Sequence, residues 1–596
     1  MGGWHGKYLF VDLTHRTFHS IPLPERLVSD YIGGRGIAAK LLFDHVVPQS
    51  DALSPHNEII IFSGPLNGTN APGSSRIVFM TKSPLGGVIN PASMGGAFPN
   101  AFKRSGWDGV VISGTSANYV WLHMTPDGVS FNDASDIWGL STSETENKIK
   151  SIIGNAARVA CIGPAGERLV RFAAVVSETR TAARGGIGAV MGSKNLKALA
   201  VSGNCDVAIA DRVMFKTVVQ KIRDDQSENP SLIGLQMNGT AGLVSVVNAM
   251  GGLPTRNFQT GTFEAADDIA GSALTEYNRV KGMACQSCPV GCSLISEIKS
   301  GRFLGTRVEG PEYETVVMLG SNLGIADRDT IIAANHLCDE LGLDTISTGN
   351  VIGFAIECAQ RSLLSLKDTD GITLSWGNPE LVLKLIDMIG NREGFAKHLG
   401  EGVMRLSRTI SGSESFAMHV KGLELAGYDP RAVFGQALSY AIAPRGGEHG
   451  RGGYMIVEFF MPDVDLYSPN GKAERAAYLS ENACIYDSAG LCSFNFVPIH
   501  LVPELINAVC GTHYTEECLR NAARRIITLE RLFNMREGFS RKDDSLPPRL
   551  LNEPLPEGMA EGKRIDCLDS MLDDYYRLRG WDKLGKPKDI VSSNKD

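Results

Sequence analysis

Near residue 208 the apolar residues change their period, and this break constrains the fold more than any other feature of the chain. Before it, short β-branched runs recur between glycine-rich turns, at residues 58–62, 76–80, 109–112, 119–123 and 199–201, and these read as strands. After it, apolar residues recur every three to four positions, as in 329–341, 348–360, 379–388 and 474–486, which predicts helices. The expected fold is α+β. An N-terminal β-sheet domain covers residues 1–207, and two mostly α-helical domains follow at 208–416 and 417–596. Segments 51–57 and 411–415 read as loops, and the polar tail from Asp582 as a loose end. The length agrees, because 596 residues at roughly 150 per domain suggest two to four units.

The chain carries 58 Lys and Arg against 66 Asp and Glu, a net charge of −8, so nothing attracts it globally to nucleic acid or to an anionic membrane. No apolar run reaches the roughly 18 residues of a membrane span. The first residues, Met1-Gly-Gly-Trp-His-Gly-Lys7, lack a signal peptide's basic and apolar stretches, and Gly6 breaks the myristoylation pattern. A cytoplasmic protein is expected. Twelve cysteines are too sparse for a disulfide scaffold, so any cluster among them points to metal.

Such a cluster exists: Cys285-Gln-Ser-Cys288-Pro-Val-Gly-Cys292. Three thiols this close suit one metal centre, either structural zinc or an iron–sulfur cluster completed by a remote cysteine. Two further segments echo each other, Asp339-Glu-Leu-Gly342-Leu343-Asp344 and Asp487-Ser-Ala-Gly490-Leu491-Cys492. Singly, each reads as a helix ending on a left-handed glycine. Their repetition suggests two equivalent ligand grips, where a carboxylate beside freed backbone groups meets a heterocycle's ring N–H and amino donors. The phrase from Arg184 to Lys197, Arg-Gly-Gly-Ile-Gly-Ala-Val-Met-Gly-Ser-Lys-Asn-Leu-Lys, sets exposed amides near positive charge. That reads as anion binding or as a plain glycine turn into a helix, and not as a Rossmann fingerprint.

These pieces, with Gly64-Pro65, Ser75-Arg76, Met94-Gly95-Gly96, Lys103-Arg-Ser-Gly-Trp-Asp108 and Ala426-Gly-Tyr-Asp-Pro-Arg431, resemble the tungsten-containing aldehyde:ferredoxin oxidoreductase family from about residue 5 to beyond 540. The resemblance implies a β-sheet base for a tungsten bis-pterin cofactor, with molybdenum as an alternative metal, beside one [4Fe–4S] cluster. It assigns Cys285, Cys288, Cys292 and Cys492 to the cluster. Asp339, Gly342, Leu343, Asp344, Asp487, Gly490 and Leu491 go to the pterins. Arg76, Gly95, Gly96, Ala183, Arg184, Gly185 and Gly186 go to the cofactor, Arg76, Arg184 and the backbone near Ala183 to its phosphates through Mg2+. Because Cys492 lies five residues after Asp487, grip and cluster are at most ~17 Å apart along the chain, which favours iron–sulfur over redox-silent zinc.

By the same resemblance Glu314 is the active-site glutamate, with Glu312 and Glu309 as rivals, and His449 the catalytic histidine. The implied reaction is oxidation of an aldehyde to a carboxylic acid, with electrons passing through the cluster to ferredoxin or a ferredoxin-like iron–sulfur subunit. A homodimer or hetero-oligomer is expected. Two departures stand out. Ala333-Ala334-Asn335-His336 lacks the Glu-x-x-His pattern of an interfacial iron site, and Glu448 with Gly450-Arg451-Gly452-Gly453 replaces a more apolar context. Reduction of an aromatic acyl-CoA and oxidation of a 2-hydroxy acid are the rival chemistries, and a zinc-stapled binding protein without redox activity is the rival of another class.

Overall fold

A computed structural model describes residues 1–449, 454–461 and 463–588; the glycine-rich 450–453 singled out above and residues 589–596 lie outside it. The N-terminal part forms two six-stranded sheets. The first runs Thr17–Pro22, Lys7–Asp12, Gly109–Ser113, Ile59–Ser63, Ile77–Lys82, Ile89–Met94. The second runs Arg180–Ala182, Val175–Ser177, Arg158–Cys161, Leu196–Val201, Val120–Thr125, Gly128–Asp133. One neighbour pair in each sheet is parallel, Lys7–Asp12 with Gly109–Ser113 and Leu196–Val201 with Val120–Thr125.

The two-residue period of a strand sorts the core into layers. Ile59, Ile61, Ile77 and Phe79 face the second sheet, meeting Leu122, Met124 and Leu199. Their alternates, Ile60, Phe62, Val78 and Met80, face the opposite way, onto Ile37 and Leu42 of the helix Gly34–His45. On the far side of the second sheet, Trp121, Val159 and Ala198 lie under Ile149 of the helix Thr142–Ile153. The helix Gly34–His45 is an element the strand-dominated reading did not contain. It is buried on nearly every side, so it lacks the polar stripe that marks a helix in sequence.

From Arg212 onward helices dominate, interrupted by a three-stranded sheet, Arg279–Met283, Ser293–Glu297, Arg307–Glu309, and by the two-stranded pair His419–Val420 and Leu423–Glu424. Lys472–Ala489 and Glu516–Arg536 return to pack on Gly34–His45, so the end of the chain rests on its beginning. The tail after Asp582 is not loose as far as Pro587. Trp581 bridges to Pro587, and the Gly585 carbonyl accepts from Arg531 Nε at 2.9 Å. No described helix is long and apolar enough to cross a membrane.

Candidate functional site

Each echo motif closes a helix, and each closure is docked on a different sheet. Arg328–Leu341 ends at Gly342 (φ 72°), with the Leu343 N–H returning 2.8 Å to the Cys338 carbonyl. Lys472–Ala489 ends at Gly490 (φ 84°), with the Leu491 N–H returning 2.9 Å to the Tyr486 carbonyl. Both are caps in which only glycine takes the left-handed position without strain. The first cap hydrogen-bonds to the lead-in of the second sheet, Ala174 N–H to Gly342 O at 2.8 Å and Asp344 N–H to Phe172 O at 3.2 Å. The second binds the first sheet's side, Leu66 N–H to Ala489 O at 3.3 Å and Arg76 N–H to Gly490 O at 3.2 Å.

The aspartates differ in company. Asp487 faces Arg35 Nη1 at 3.5 Å, and Arg35 is held bidentately by the fully buried Glu530 at 2.6 and 2.7 Å. Asp339 accepts from Asn335 Nδ2 at 2.8 Å. Burial, then Glu309 and Glu340, push its carboxyl well above the usual range. Asp344 is spent locally, capping the helix Thr345–Gln360 and facing Arg184 at 3.5 Å.

Cys285, Cys288, Cys292 and Cys492 line one cavity together with Arg76, Arg180 and Asn495. Gly96 N–H donates to Cys285 Sγ at 3.2 Å, Arg76 Nη2 to Cys492 Sγ at 3.3 Å, and Asn495 Nδ2 to Cys288 Sγ at 3.4 Å. A β-carbon on Gly95 would stand 3.3 Å from Cys285 Sγ, so a bare backbone is what lets this strand end approach the thiol. Burial raises the Cys288 and Cys292 thiols. Among the described residues, no three His, Cys, Asp or Glu side chains converge on a point as one ion would require.

Arg76, which the resemblance assigns to the cofactor's phosphates, places its Nη2 against Cys492 Sγ. The Arg184–Lys197 phrase takes the form of a glycine turn, with Gly185 and Gly186 at φ 83° and 85°, into the short helix Ile187–Ser193. Its cations are engaged by protein: Arg184 by the carbonyls of Gly447 (2.8 Å) and Glu424, Lys194 by the carbonyl of Gly114 (2.9 Å), Lys197 by Glu167. Ala183 is half-buried beside the turn.

Glu314 and His449, 135 positions apart, come together with Oε1 3.3 Å from Nδ1. The rivals are occupied elsewhere. Glu312 accepts from Ser293 Oγ at 3.2 Å and from Thr240, and Glu309 pairs with Arg180 and Thr179. Gly427 N–H holds Glu314 Oε2 at 2.7 Å, while Tyr428 lies against the imidazole at 5.4 Å and Tyr313 stacks behind Tyr428 at 4.7 Å. Burial is the largest influence on His449 and lowers its pKa; the opposing pull of Glu314 is smaller. A neutral imidazole with one nitrogen toward a carboxylate can take a proton on the other.

Models of the N-terminal domain and of domains 2 and 3 of aldehyde ferredoxin oxidoreductase match residues 8–203 and 217–591. The chain belongs to the aldehyde ferredoxin oxidoreductase family. It is 40% identical to the tungsten-containing aldehyde ferredoxin oxidoreductase of Pyrococcus furiosus, across 99% of this chain and 98% of that one. It is also 32% identical to the WOR-like subunit of an aliphatic sulfonate oxidoreductase from the same organism, across 99% and 96%. The structure is similar to the active site complex of benzoyl coenzyme A reductase bound to 1,5-dienoyl-CoA, with a TM-score of 0.84, 25% identity, and coverage of 98% and 96%. Membership in the aldehyde ferredoxin oxidoreductase family makes the chain an oxidoreductase and removes the zinc-stapled binding protein from consideration.

Sequence reasoning missed Arg35, Arg180 and Asn495, which reach the site only through tertiary contacts. Tyr428 sat in the phrase Ala426–Arg431 without a role, and Tyr313 lies between Glu312 and Glu314.

Proposed function

We propose that the protein is a tungsten bis-pterin oxidoreductase that converts an aldehyde and water to a carboxylic acid. A [4Fe–4S] cluster held by Cys285, Cys288, Cys292 and Cys492 would supply the one-electron outlet to ferredoxin or a ferredoxin-like subunit. A cytoplasmic location belongs to the same reading. One observation carries it: Arg76 binds the Gly490 carbonyl through its backbone and Cys492 Sγ through its side chain, joining a cap to the cysteine cavity.

Cys285, Cys288, Cys292 and Cys492 line one cavity and would hold a [4Fe–4S] cluster, whose usual ligands are four thiolates. Arg76 and Arg180 supply positive charge against the thiolates. Asp339 and Asp487 would accept a pterin's ring and amino N–H groups, with Gly342, Leu343, Gly490 and Leu491 shaping the approach. When bound, the metal with its two pterins supplies a two-electron acceptor. The chain's own part is proton handling. His449 Nδ1 faces Glu314, so Nε2 is free to accept the proton lost as water adds to the aldehyde carbon, and Glu314 steadies the imidazolium that results.

The likeness to benzoyl coenzyme A reductase favours a second reading, reduction of an aromatic acyl-CoA, placed second by 25% against 40% identity. Anaerobically prepared protein should contain about four iron atoms and one tungsten or molybdenum per chain, and should reduce a viologen dye with aldehydes. One zinc and no iron would refute the proposal. A full metal load active only with an acyl-CoA or a 2-hydroxy acid would replace the substrate assignment.

A further inference from the structure

The helix Arg212–Ser227 buries Phe215, Val218, Val219, Ile222 and Gln226, a spacing that places them on one helix face. The last of these is an amide, 6% exposed, at a position where the pattern calls for a hydrocarbon. Burying an amide costs free energy unless hydrogen bonds replace its water. Here they come from a residue 269 positions away: Gln226 Nε2 donates to the backbone carbonyl of Asn495 at 2.6 Å and also to its side-chain Oδ1. Gln226 Oε1 has no partner among the described residues, so Asn495 alone orients this amide.

These contacts have a direction. A backbone carbonyl can only accept, so the Gln226 atom against it is the nitrogen. The Asn495 atom that shares this nitrogen is then the oxygen, which turns Asn495 Nδ2 the other way, onto Cys288 Sγ at 3.4 Å. Asn495 has little room to do otherwise. It is 1% exposed, and a β-carbon on Gly73 would stand 2.6 Å from its Cγ, so the amide lies against bare backbone. Gly73 in turn joins the two cysteine segments, its N–H donating to Ser287 O at 3.1 Å and its carbonyl accepting the Cys492 N–H at 3.0 Å.

Taking the proposed function as given, in which Cys288 is a ligand of the [4Fe–4S] cluster, we propose that Asn495 raises the reduction potential of that cluster and that Gln226 is its positioning residue. An electron taken up by the cluster adds negative charge at the thiolates, and a hydrogen bond to a ligand sulfur favours that reduced state. Gln226 makes its described side-chain hydrogen bonds to Asn495 and none to a cysteine, so it acts by keeping Nδ2, and not Oδ1, turned to the sulfur. Both side chains are neutral, so the potential is raised without adding a charge to the cavity.

Redox titration of the holoenzyme, followed by the EPR signal of the reduced cluster, tests this in Asn495→Ala, Gln226→Met and the double variant. Asn495→Ala should lower the ratio of reduced to oxidised cluster at a fixed solution potential about tenfold, a midpoint shift of about 59 mV. Gln226→Met, which keeps the side chain's size, should shift the midpoint the same way and by less. In the Asn495→Ala background it should add nothing, as a residue that acts through Asn495 must. An unshifted potential in either single variant, or additive shifts in the double variant, would overturn the proposal. Should a variant take up no iron, the wild type decides: with asparagine carrying nitrogen-15 in its side-chain amide, the reduced cluster should show a nitrogen-15 coupling, and its absence would overturn the proposal as well. A wild type without any iron–sulfur signal would refute the proposed function itself.

Discussion

Replacing Gly490 by alanine tests whether the second cap and the cysteine cavity are mechanically one unit. At φ 84° a β-carbon would stand 2.5 Å from Asn67 Oδ1. Asn67 is fully buried and committed on both sides, its Oδ1 accepting the Gly64 N–H at 2.7 Å and its Nδ2 donating to Ser74 O at 2.9 Å. The alanine must hold a left-handed conformation at about 1–2 kcal/mol. It must also displace Asn67, which strands two buried backbone groups at about 1–3 kcal/mol each. The sum is about 3–8 kcal/mol, enough to move the cap rather than distort it in place. Cys492 lies two residues on, its N–H on Gly73 O at 3.0 Å, so its thiol should leave the cavity with the cap. Iron content and cluster absorbance should fall well below wild type, together with the melting temperature. Gly234→Ala, whose β-carbon meets nothing within 4 Å, serves as the control and should change none of these. Full iron content and an unchanged melting temperature in Gly490→Ala would refute the coupling.

Other consequences can be checked the same way. Cys492→Ser should lose the [4Fe–4S] EPR signal while circular dichroism stays near wild type; a full signal with normal turnover would remove Cys492 from the ligand set. His449→Ala should keep its metals and lose about 10²–10⁴-fold in kcat, and Glu314→Gln should lose less and shift the pH profile. In the wild type, kcat/KM should rise with pH through an inflection below 6.5, because burial disfavours the imidazolium. Half-buried His419, its pKa lowered to about 4 by desolvation, binds its proton less readily folded than unfolded. Stability should therefore fall as pH drops from about 6.5 toward 4, by up to about 3 kcal/mol, and unfolding of His419→Asn should lose that part of the pH dependence.

The sequence showed its local chemistry clearly and its tertiary assembly poorly. The spacing of Cys285, Cys288 and Cys292 and the glycine caps at 342 and 490 are properties of a few consecutive residues, and they were legible. Three carboxylates within six positions, Glu309, Glu312 and Glu314, could not be ranked by composition. The structure separates them through their neighbours, Arg180, Thr240 and Gly427. The cations of 184–197 read as available charge because a sequence does not display burial. Gly447, Gly114 and Glu167, which satisfy them, lie up to 263 positions away. The helix Gly34–His45 was invisible for a related reason, since an element buried over most of its surface carries no clear amphipathic pattern.

The four cavity cysteines also set an order on biogenesis. Three emerge from the ribosome by residue 292, and the fourth follows 200 residues later at 492. At about 5–20 residues per second, the first three thiols wait some 10–40 s for the last. The helix Glu516–Arg536, which seats Arg35 beneath Asp487 through Glu530, comes later still. The cavity is not whole until residue 495 is made, and the second grip not until Glu530 is. Loading of the inorganic groups is thus a step for the finished polypeptide, and truncation anywhere before residue 536 should yield a protein that cannot be charged with them.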